Sequence, residues 1–158
     1  VEDSFDVRRH ATARHYRYLI VNDEIGVPSL EGIALRVKRA LDIESMRAAA
    51  RWLIGTHDFS SFATSLDTPG STVRQVYEAR ILRRATVIEF WIAANAFLRH
   101  QVRNTIGQLL QVGLGKASVE AFAGLVHEAR QSTAGPAAAA HGLSLVKVTY
   151  ETPLPFTA

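Results

Sequence analysis

The segment from Phe97 to Gly113 carries the most regular apolar pattern in the chain and predicts its principal helix. Its large apolar side chains recur at the spacing that places them on one face of a helix: Leu98, Val102, Ile106, Leu109 and Leu110. Gly107 lies inside this segment, where glycine is less favourable than alanine by about 1 kcal/mol. We therefore expect another part of the chain to pack so closely against Gly107 that a side chain would not fit.

The remaining chain divides into segments typical of strands and of shorter helices. Strands are predicted for the second half of Ala11–Asn22, for Val73–Leu82 and Thr86–Ala94 with Arg83-Arg84 as their turn, and for Leu143–Tyr150. Two more helices are predicted over Ile43–Gly55, with Asp42 as N-cap, and over Ser118–Arg130, with Ser118 as cap. Between them, Phe59 and Phe62 are expected to be core residues.

The resulting order, β-α-β-β-α-α-β, is typical of an α+β fold of the split βαβ, or ferredoxin-like, type. We expect an antiparallel or mixed sheet with its helices on one face. A length of 158 residues suits a single domain, here residues 1–158 with a tail at 151–158. Because many unrelated proteins share such sheets, the fold does not decide the function.

Composition excludes several classes of protein. The chain has no cysteine, which rules out disulfides, thiolate metal sites and cysteine nucleophiles. No apolar run approaches the roughly 18 residues of a membrane helix. The chain starts at Val1 with no leader pattern, and we expect it to be part of a longer protein.

Basic charge is concentrated in arginine and in two segments. The chain has 18 basic and 15 acidic residues, and the basic ones are 15 arginines and 3 lysines. Residues 7–18 contain four arginines and no acid, and residues 74–104 contain six arginines and two glutamates. Arginine suits phosphate binding and base stacking. The excess of arginine over lysine therefore has two explanations, which both remain open: a nucleic-acid-binding role, or a GC-rich genome, whose codons favour arginine.

Arg99 and Arg103 lie one turn apart at the edge of the apolar stripe of the principal helix. Such arginines can bind a carboxylate or a phosphate through two hydrogen bonds, or can be surface residues with buried stems. On the first strand, Tyr16 and Tyr18 share one face with Arg14. Aromatic residues flanked by arginines can stack on unpaired RNA bases, but they can equally be half-buried sheet residues.

Other catalytic patterns are missing from the sequence. The six histidines have no metal-site spacing, and neither a Gly-x-Ser-x-Gly elbow nor a glycine-rich phosphate loop occurs. We therefore predict no metal site.

Several motifs together resemble the C-terminal part of the tRNA pseudouridine synthase A family. The first strand, ATARHYRY, resembles the family's A-x-x-R-x-Y-x-Y, and LIGTHDF resembles its L-x-G-x-H-D-F turn. The segment NAFLRHQVRN is close to N-A-F-L-R-H-M-V-R-N, with Gln101 where methionine is usual. Arg74-Gln75-Val76 and the closing HGLSL also fit, with Ser144 where tyrosine is usual.

The resemblance implies a cytoplasmic isomerase that converts uridine to pseudouridine in the anticodon stem-loop of tRNA, with no metal or cofactor. In such enzymes the uridine is flipped out and attacked by an aspartate. Tyr16 matches the tyrosine that stacks on the uracil, and Arg103 matches the arginine that orients the catalytic aspartate. Arg14, Arg17 and Arg99 would contact RNA phosphates. The resemblance also implies a homodimer and no membrane association.

One family motif is missing from the 158 residues. The family's N-terminal lobe carries Gly-Arg-Thr-Asp-x-Gly-Val-His with the nucleophilic aspartate, and no Arg-Thr-Asp occurs here. We therefore expect this chain to be inactive alone and to need that lobe as a partner. Two alternatives remain: a non-catalytic RNA-binding module of ferredoxin-like fold, and an interaction domain without an RNA role.

Overall fold

A computed structural model describes residues 6–7, 9–64, 70–129 and 135–151. The predicted tail beyond residue 151 and most of the predicted loop at 64–71 lie outside the described residues. The strands are β1 (Ala11–Val21), β2 (Leu35–Arg36), β3 (Gly55–Asp58), β4 (Val73–Arg84), β5 (Val87–Ala94) and β6 (Leu143–Tyr150). The helices are α1 (Ile43–Arg51), α2 (Gln101–Gly113) and α3 (Val119–His127), with short 3₁₀ turns at Pro28–Leu30, Ser60–Phe62 and Ala140–Gly142.

The six strands form one mixed sheet, in which five follow the order β2-β1-β5-β4-β3 and β6 pairs with β1 outside that order. β1 pairs with β5 along one side, and on its other side it pairs first with β6 and then with β2. Only the β1–β2 pairing is parallel among the strand pairs that the structure describes. The α+β class and the mixed sheet are therefore confirmed.

The main core lies between the helices and one face of the sheet. Alternate residues of β1 and β5, such as Tyr18, Ile20 and Phe90, enter this core together with Ile106 and Phe122 from the helices. The opposite face carries a smaller cluster around Leu19, Val21 and Ala34. The helices therefore pack on one face, as the sequence predicted.

Both predicted caps are present. The Asp42 side chain accepts a hydrogen bond from the backbone N–H of Ser45, and the Ser118 side chain accepts one from the N–H of Ala121. Phe59 and Phe62 are fully buried, which confirms them as core residues.

The expected close approach to Gly107 is confirmed. A Cβ at this position would collide with the carbonyl oxygen of Pro136, so the backbone of the segment at 135–139 lies directly against α2. This contact brings that segment next to the candidate site described below.

Several predicted boundaries are wrong. The turn of the β4–β5 hairpin is Ala85-Thr86, and Arg83-Arg84 belong to β4. The principal helix begins at Gln101 instead of Phe97, because His100 adopts a left-handed backbone conformation with φ of 60°. The first helix ends at Arg51 instead of Gly55, and Gly55, with a φ of 113°, is the first residue of β3. β2 and β3 themselves were not predicted.

Candidate active site

Tyr16 and Arg103 line the same pocket, a space of about 120 Å³ between β1 and the N-terminal end of α2. Tyr16 points from the helix-covered face of the sheet, and its ring contacts the edge of Phe97 with centroids 5.3 Å apart. Phe97 belongs to the loop between β5 and α2, and Leu143 at the start of β6 completes the apolar wall. An aromatic wall of this kind suits a planar ring as ligand.

Arg103 is held in place by the segment at 135–139. Its Nε donates a hydrogen bond to the carbonyl oxygen of Ala138 at 2.7 Å, and the N–H of Ala138 donates to the carbonyl oxygen of Arg103 at 3.0 Å. In the described part of the chain, no carboxylate lies within ion-pair distance of its guanidinium. The Arg103 charge is therefore half-buried beside the pocket without a counter-charge from these residues.

Tyr18 lies beneath this arrangement and is fully buried. Its hydroxyl donates to the carbonyl oxygen of Ala139 at 2.7 Å, and its ring packs against Gly142 so tightly that a Cβ there would lie 2.7 Å from Cζ. Burial raises the pKa of Tyr18 to about 12, and the positive charge of Arg103 partly opposes this shift. Tyr18 is thus a neutral structural support for the segment that holds Arg103.

Two polar side chains attach the start of α2 to the turn that follows β3. The Nδ1 of His100 lies 3.0 Å from the hydroxyl of Thr64, and the amide of Asn104 donates to the carbonyl oxygen of Phe62 at 2.6 Å. Asp58 begins this turn by accepting a hydrogen bond from the N–H of Ser60. Burial alone would raise the pKa of Asp58, but hydrogen bonds from Thr72 and Ser60 outweigh it and leave that pKa below its usual value.

The three arginines predicted to contact RNA lie in different places. Arg14 donates to the carbonyl oxygens of Ala11 and Asn95, at 3.0 and 2.5 Å. Arg99 is exposed at the rim of the β5–α2 loop. Arg17 lies on the opposite face of the sheet from Tyr16, where its guanidinium stacks over Trp91 at 5.7 Å. The structure therefore brings Tyr16 and Arg103 together and separates Arg17 from them.

Sequence reasoning missed Gln101 as a pocket residue. This first residue of α2 is fully buried and lines the pocket, and its Oε1 accepts a hydrogen bond from the N–H of Leu98 at 2.8 Å. In the sequence, the one feature that could have indicated this role is a polar residue directly before Val102 of the apolar stripe.

None of the helices in the described residues is both long and apolar enough to cross a membrane. Within the same ranges, no group of three or more histidine, aspartate or glutamate side chains could hold a metal ion.

A mixed sheet with helices on one face defines an α+β domain, and a tyrosine and an arginine line one pocket of it. Comparison with known proteins identifies the family. The model of the tRNA pseudouridine synthase family matches residues 49–151, so the chain belongs to this family.

Curated relatives agree with this assignment and confirm the resemblance to the C-terminal portion of the tRNA pseudouridine synthase A family. The tRNA pseudouridine synthase A of Chloroflexus aurantiacus is 41% identical over 152 residues, which cover 92% of this chain and 54% of the relative. That of Thermoanaerobacter sp. (strain X514) is 38% identical over 150 residues, covering 95% and 62%. That of Janthinobacterium sp. (strain Marseille) is 39% identical over 150 residues, covering 95% and 55%. The chain thus spans little more than half the length of these relatives.

Proposed function

We propose that this chain forms the C-terminal part of the active site of a tRNA pseudouridine synthase, which isomerises uridine to pseudouridine in the anticodon stem-loop of tRNA. The observation that carries the proposal is the shared pocket of Tyr16 and Arg103. These are the residues to which the family resemblance gives the uracil-stacking and aspartate-orienting roles.

In this proposal Tyr16 holds the flipped uracil ring and Arg103 binds the nucleophilic carboxylate. The Arg103 Nε is already used by Ala138, so the terminal guanidinium nitrogens are the groups available to a carboxylate. A neighbouring cation lowers the pKa of a carboxyl group and keeps it ionised for attack. The geometry of Arg103 fits this role, because Ala138 supports it on one side and none of the described residues supplies a counter-charge on the other.

In this proposal the aspartate comes from outside the 158 residues, since no Arg-Thr-Asp motif occurs among them. We propose that an N-terminal lobe of the same protein supplies it and closes over the pocket. The isolated chain would then bind RNA without isomerising it.

The remaining expectations belong to the same proposal. Arg14, Arg17 and Arg99 contact tRNA phosphates, the enzyme acts in the cytoplasm as a homodimer, and it needs neither a metal nor an organic cofactor. Because Arg17 lies on the other face of the sheet from Tyr16, its contact would be to a part of the tRNA distant from the target uridine, or to tRNA bound by the second subunit.

Tritium release tests the proposal. tRNA carrying tritium on the uracil ring carbon that forms the new glycosidic bond is incubated with the full-length gene product and, separately, with the 158-residue chain. We expect release by the full-length protein and none by the chain alone. Release by the chain alone would contradict the external nucleophile. Absence of release by the full-length protein, with tRNA binding retained, would favour the RNA-binding module instead.

A further inference from the structure

Two tyrosines on the same face of β1 are held in different ways. Tyr18 is fully buried, and its hydroxyl donates to the carbonyl oxygen of Ala139. Tyr16 is half-buried, and its hydroxyl forms no hydrogen bond with any residue that the structure describes. Within the described part of the chain, packing rather than hydrogen bonding therefore orients the Tyr16 ring.

The side chain that packs on the Tyr16 ring with a defined geometry is Phe97. The two ring centroids lie 5.3 Å apart, and the ring planes meet at 85°. Perpendicular rings at this separation attract each other, because the positive edge of one ring meets the negative face of the other. The attraction weakens when either ring turns, so the Phe97 contact favours one plane for the Tyr16 ring.

Phe97 is itself held on both sides within the β5–α2 loop. Before it, the side-chain oxygen of Asn95 accepts hydrogen bonds from two backbone N–H groups, one of them in β4, each at 2.9 Å. After it, the N–H of Leu98 donates to the side-chain oxygen of Gln101 at 2.8 Å. The ring of Phe97 packs against the main core. Phe97 is therefore fixed well enough to orient its neighbour Tyr16.

The plane of the Tyr16 ring decides where a stacked base lies. A nucleic-acid base stacks on an aromatic side chain with the two planes nearly parallel. A Tyr16 ring that turned freely would hold the uracil in several orientations. Only a fraction of these would place the base correctly beside Arg103, which lines the same pocket.

We propose that Phe97 is a positioning residue, which fixes the plane of the Tyr16 ring and so the plane of the uracil that stacks on it. This inference rests on the proposed function, since it takes uridine as the ligand of the pocket. It adds to that function a residue that acts on the reaction through Tyr16.

Two other roles of Phe97 predict different results. Phe97 lines the pocket, so one alternative is direct contact with the base. It also packs against the core, so the other alternative is a general contribution to stability. Direct contact would leave the response of Tyr16 to the base unchanged when Phe97 is replaced. A stability effect would arise equally from a core phenylalanine elsewhere in the molecule.

The experiment uses the full-length gene product as wild type, Phe97→Leu, Phe97→Tyr and Phe122→Leu. Leucine removes the aromatic ring at position 97, whereas tyrosine keeps it. Phe122→Leu is the matched control, because Phe122 is fully buried in α3, contacts the ring of Phe62 at 5.8 Å and is not a wall of the pocket. The single-turnover rate of pseudouridine formation and the affinity for tRNA are measured separately for each protein.

We expect Phe97→Leu to be about fivefold slower in single turnover with tRNA affinity retained, which is the scale of one aromatic pair. Phe97→Tyr and Phe122→Leu should keep the wild-type rate. If Phe97→Leu were as fast as wild type, or if Phe122→Leu lost as much as Phe97→Leu, the proposal would be overturned. Phe97→Met, which also lacks a ring, repeats the test with a more flexible side chain.

A second measurement does not depend on catalysis. The ring signals of Tyr16, assigned in isotope-labelled protein by their disappearance in Tyr16→Phe, are followed by NMR while an RNA stem-loop containing the target uridine is added. We expect these signals to shift in wild type and to shift less in Phe97→Leu. Equal shifts in the two proteins would indicate that Phe97 does not act through Tyr16, and would overturn the proposal.

The two measurements together separate this proposal from the proposed function. If pseudouridine forms and the Tyr16 shift does not depend on Phe97, the positioning role fails and the isomerase stands. If no pseudouridine forms and the Tyr16 shift depends on Phe97, the isomerase fails and the positioning of a stacked RNA base stands.

Discussion

Arg103 and Ala138 are joined by two reciprocal hydrogen bonds, from the arginine Nε to the alanine carbonyl and from the alanine N–H to the arginine carbonyl. This pairing ties a long helix to the segment at 135–139 and fixes the direction of the guanidinium. The terminal nitrogens remain for a ligand. The position of the positive charge in the pocket therefore depends on backbone packing outside the pocket.

Gly107→Ala should disturb that packing. The new methyl group would collide with the carbonyl oxygen of Pro136 and push away the segment that holds Arg103. Overpacking of this kind costs about 1–3 kcal/mol, against a gain in helix propensity of about 1 kcal/mol. We expect a lower free energy of unfolding by chemical denaturation, together with weaker activity of the full-length protein.

Gly124→Ala is the matched control for this change. Gly124 lies inside α3, where an added Cβ would meet only the side-chain oxygen of Glu128 at an ordinary 3.7 Å. This variant should gain about 0.5–1 kcal/mol from helix propensity. If both glycine variants changed stability by the same amount and sign, the close approach of Pro136 would have no energetic importance.

Tyr18→Phe should change how stability depends on alkaline pH. In the folded protein the pKa of Tyr18 is raised from 10.0 to about 12, so the unfolded chain loses its phenol proton first as the pH rises. The free energy of unfolding of the wild type therefore falls as the pH rises from 10.0 to about 12. At neutral pH the variant should be less stable by about 1 kcal/mol, because the hydrogen bond to Ala139 is lost.

The difference in free energy of unfolding between wild type and Tyr18→Phe should shrink and then change sign as the pH rises from 10.0 to about 12, because ionising the buried phenol costs more than its hydrogen bond of about 1 kcal/mol. Thermal or denaturant unfolding at several pH values measures it, and the subtraction removes the titration of all other groups. If the difference in free energy of unfolding stayed constant between pH 10.0 and about 12, Tyr18 would not be shielded from ionisation.

Arg99→Ala tests the exposed part of the proposed RNA surface. Loss of one phosphate contact should weaken tRNA binding and reduce the slope of log affinity against log salt by about one. Arg84→Ala removes an equally exposed arginine at the distant end of β4 and should leave the slope unchanged. Equal effects of both changes would indicate attraction by overall charge alone.

Local pattern was enough to predict the elements with long, regular sequences. The spacing from Leu98 to Leu110 predicted α2, and its glycine predicted a close neighbour, which proved to be Pro136. Tyr16 and Arg103, which family motifs singled out, do line one pocket.

Features that depend on distant pairing were not predictable in this way. β2 and β3 contain only two and four residues, too few to show alternation, and they exist because β1 and β4 offer free edges. The hairpin turn was misplaced because paired arginines suggest a turn, whereas both continue β4. The left-handed conformation of His100, after which α2 begins, is not revealed by any spacing rule.

Arg103→Lys in the full-length protein tests the central claim most directly, by the rate of pseudouridine formation in a single turnover. Lysine keeps the charge but lacks the planar fork that can bind Ala138 and a carboxylate together. We expect a loss of about 100-fold with tRNA affinity retained, while Arg51→Lys on the exposed surface of α1 leaves the rate unchanged. A rate in Arg103→Lys equal to that of wild type would contradict the assignment of this pocket as the active site.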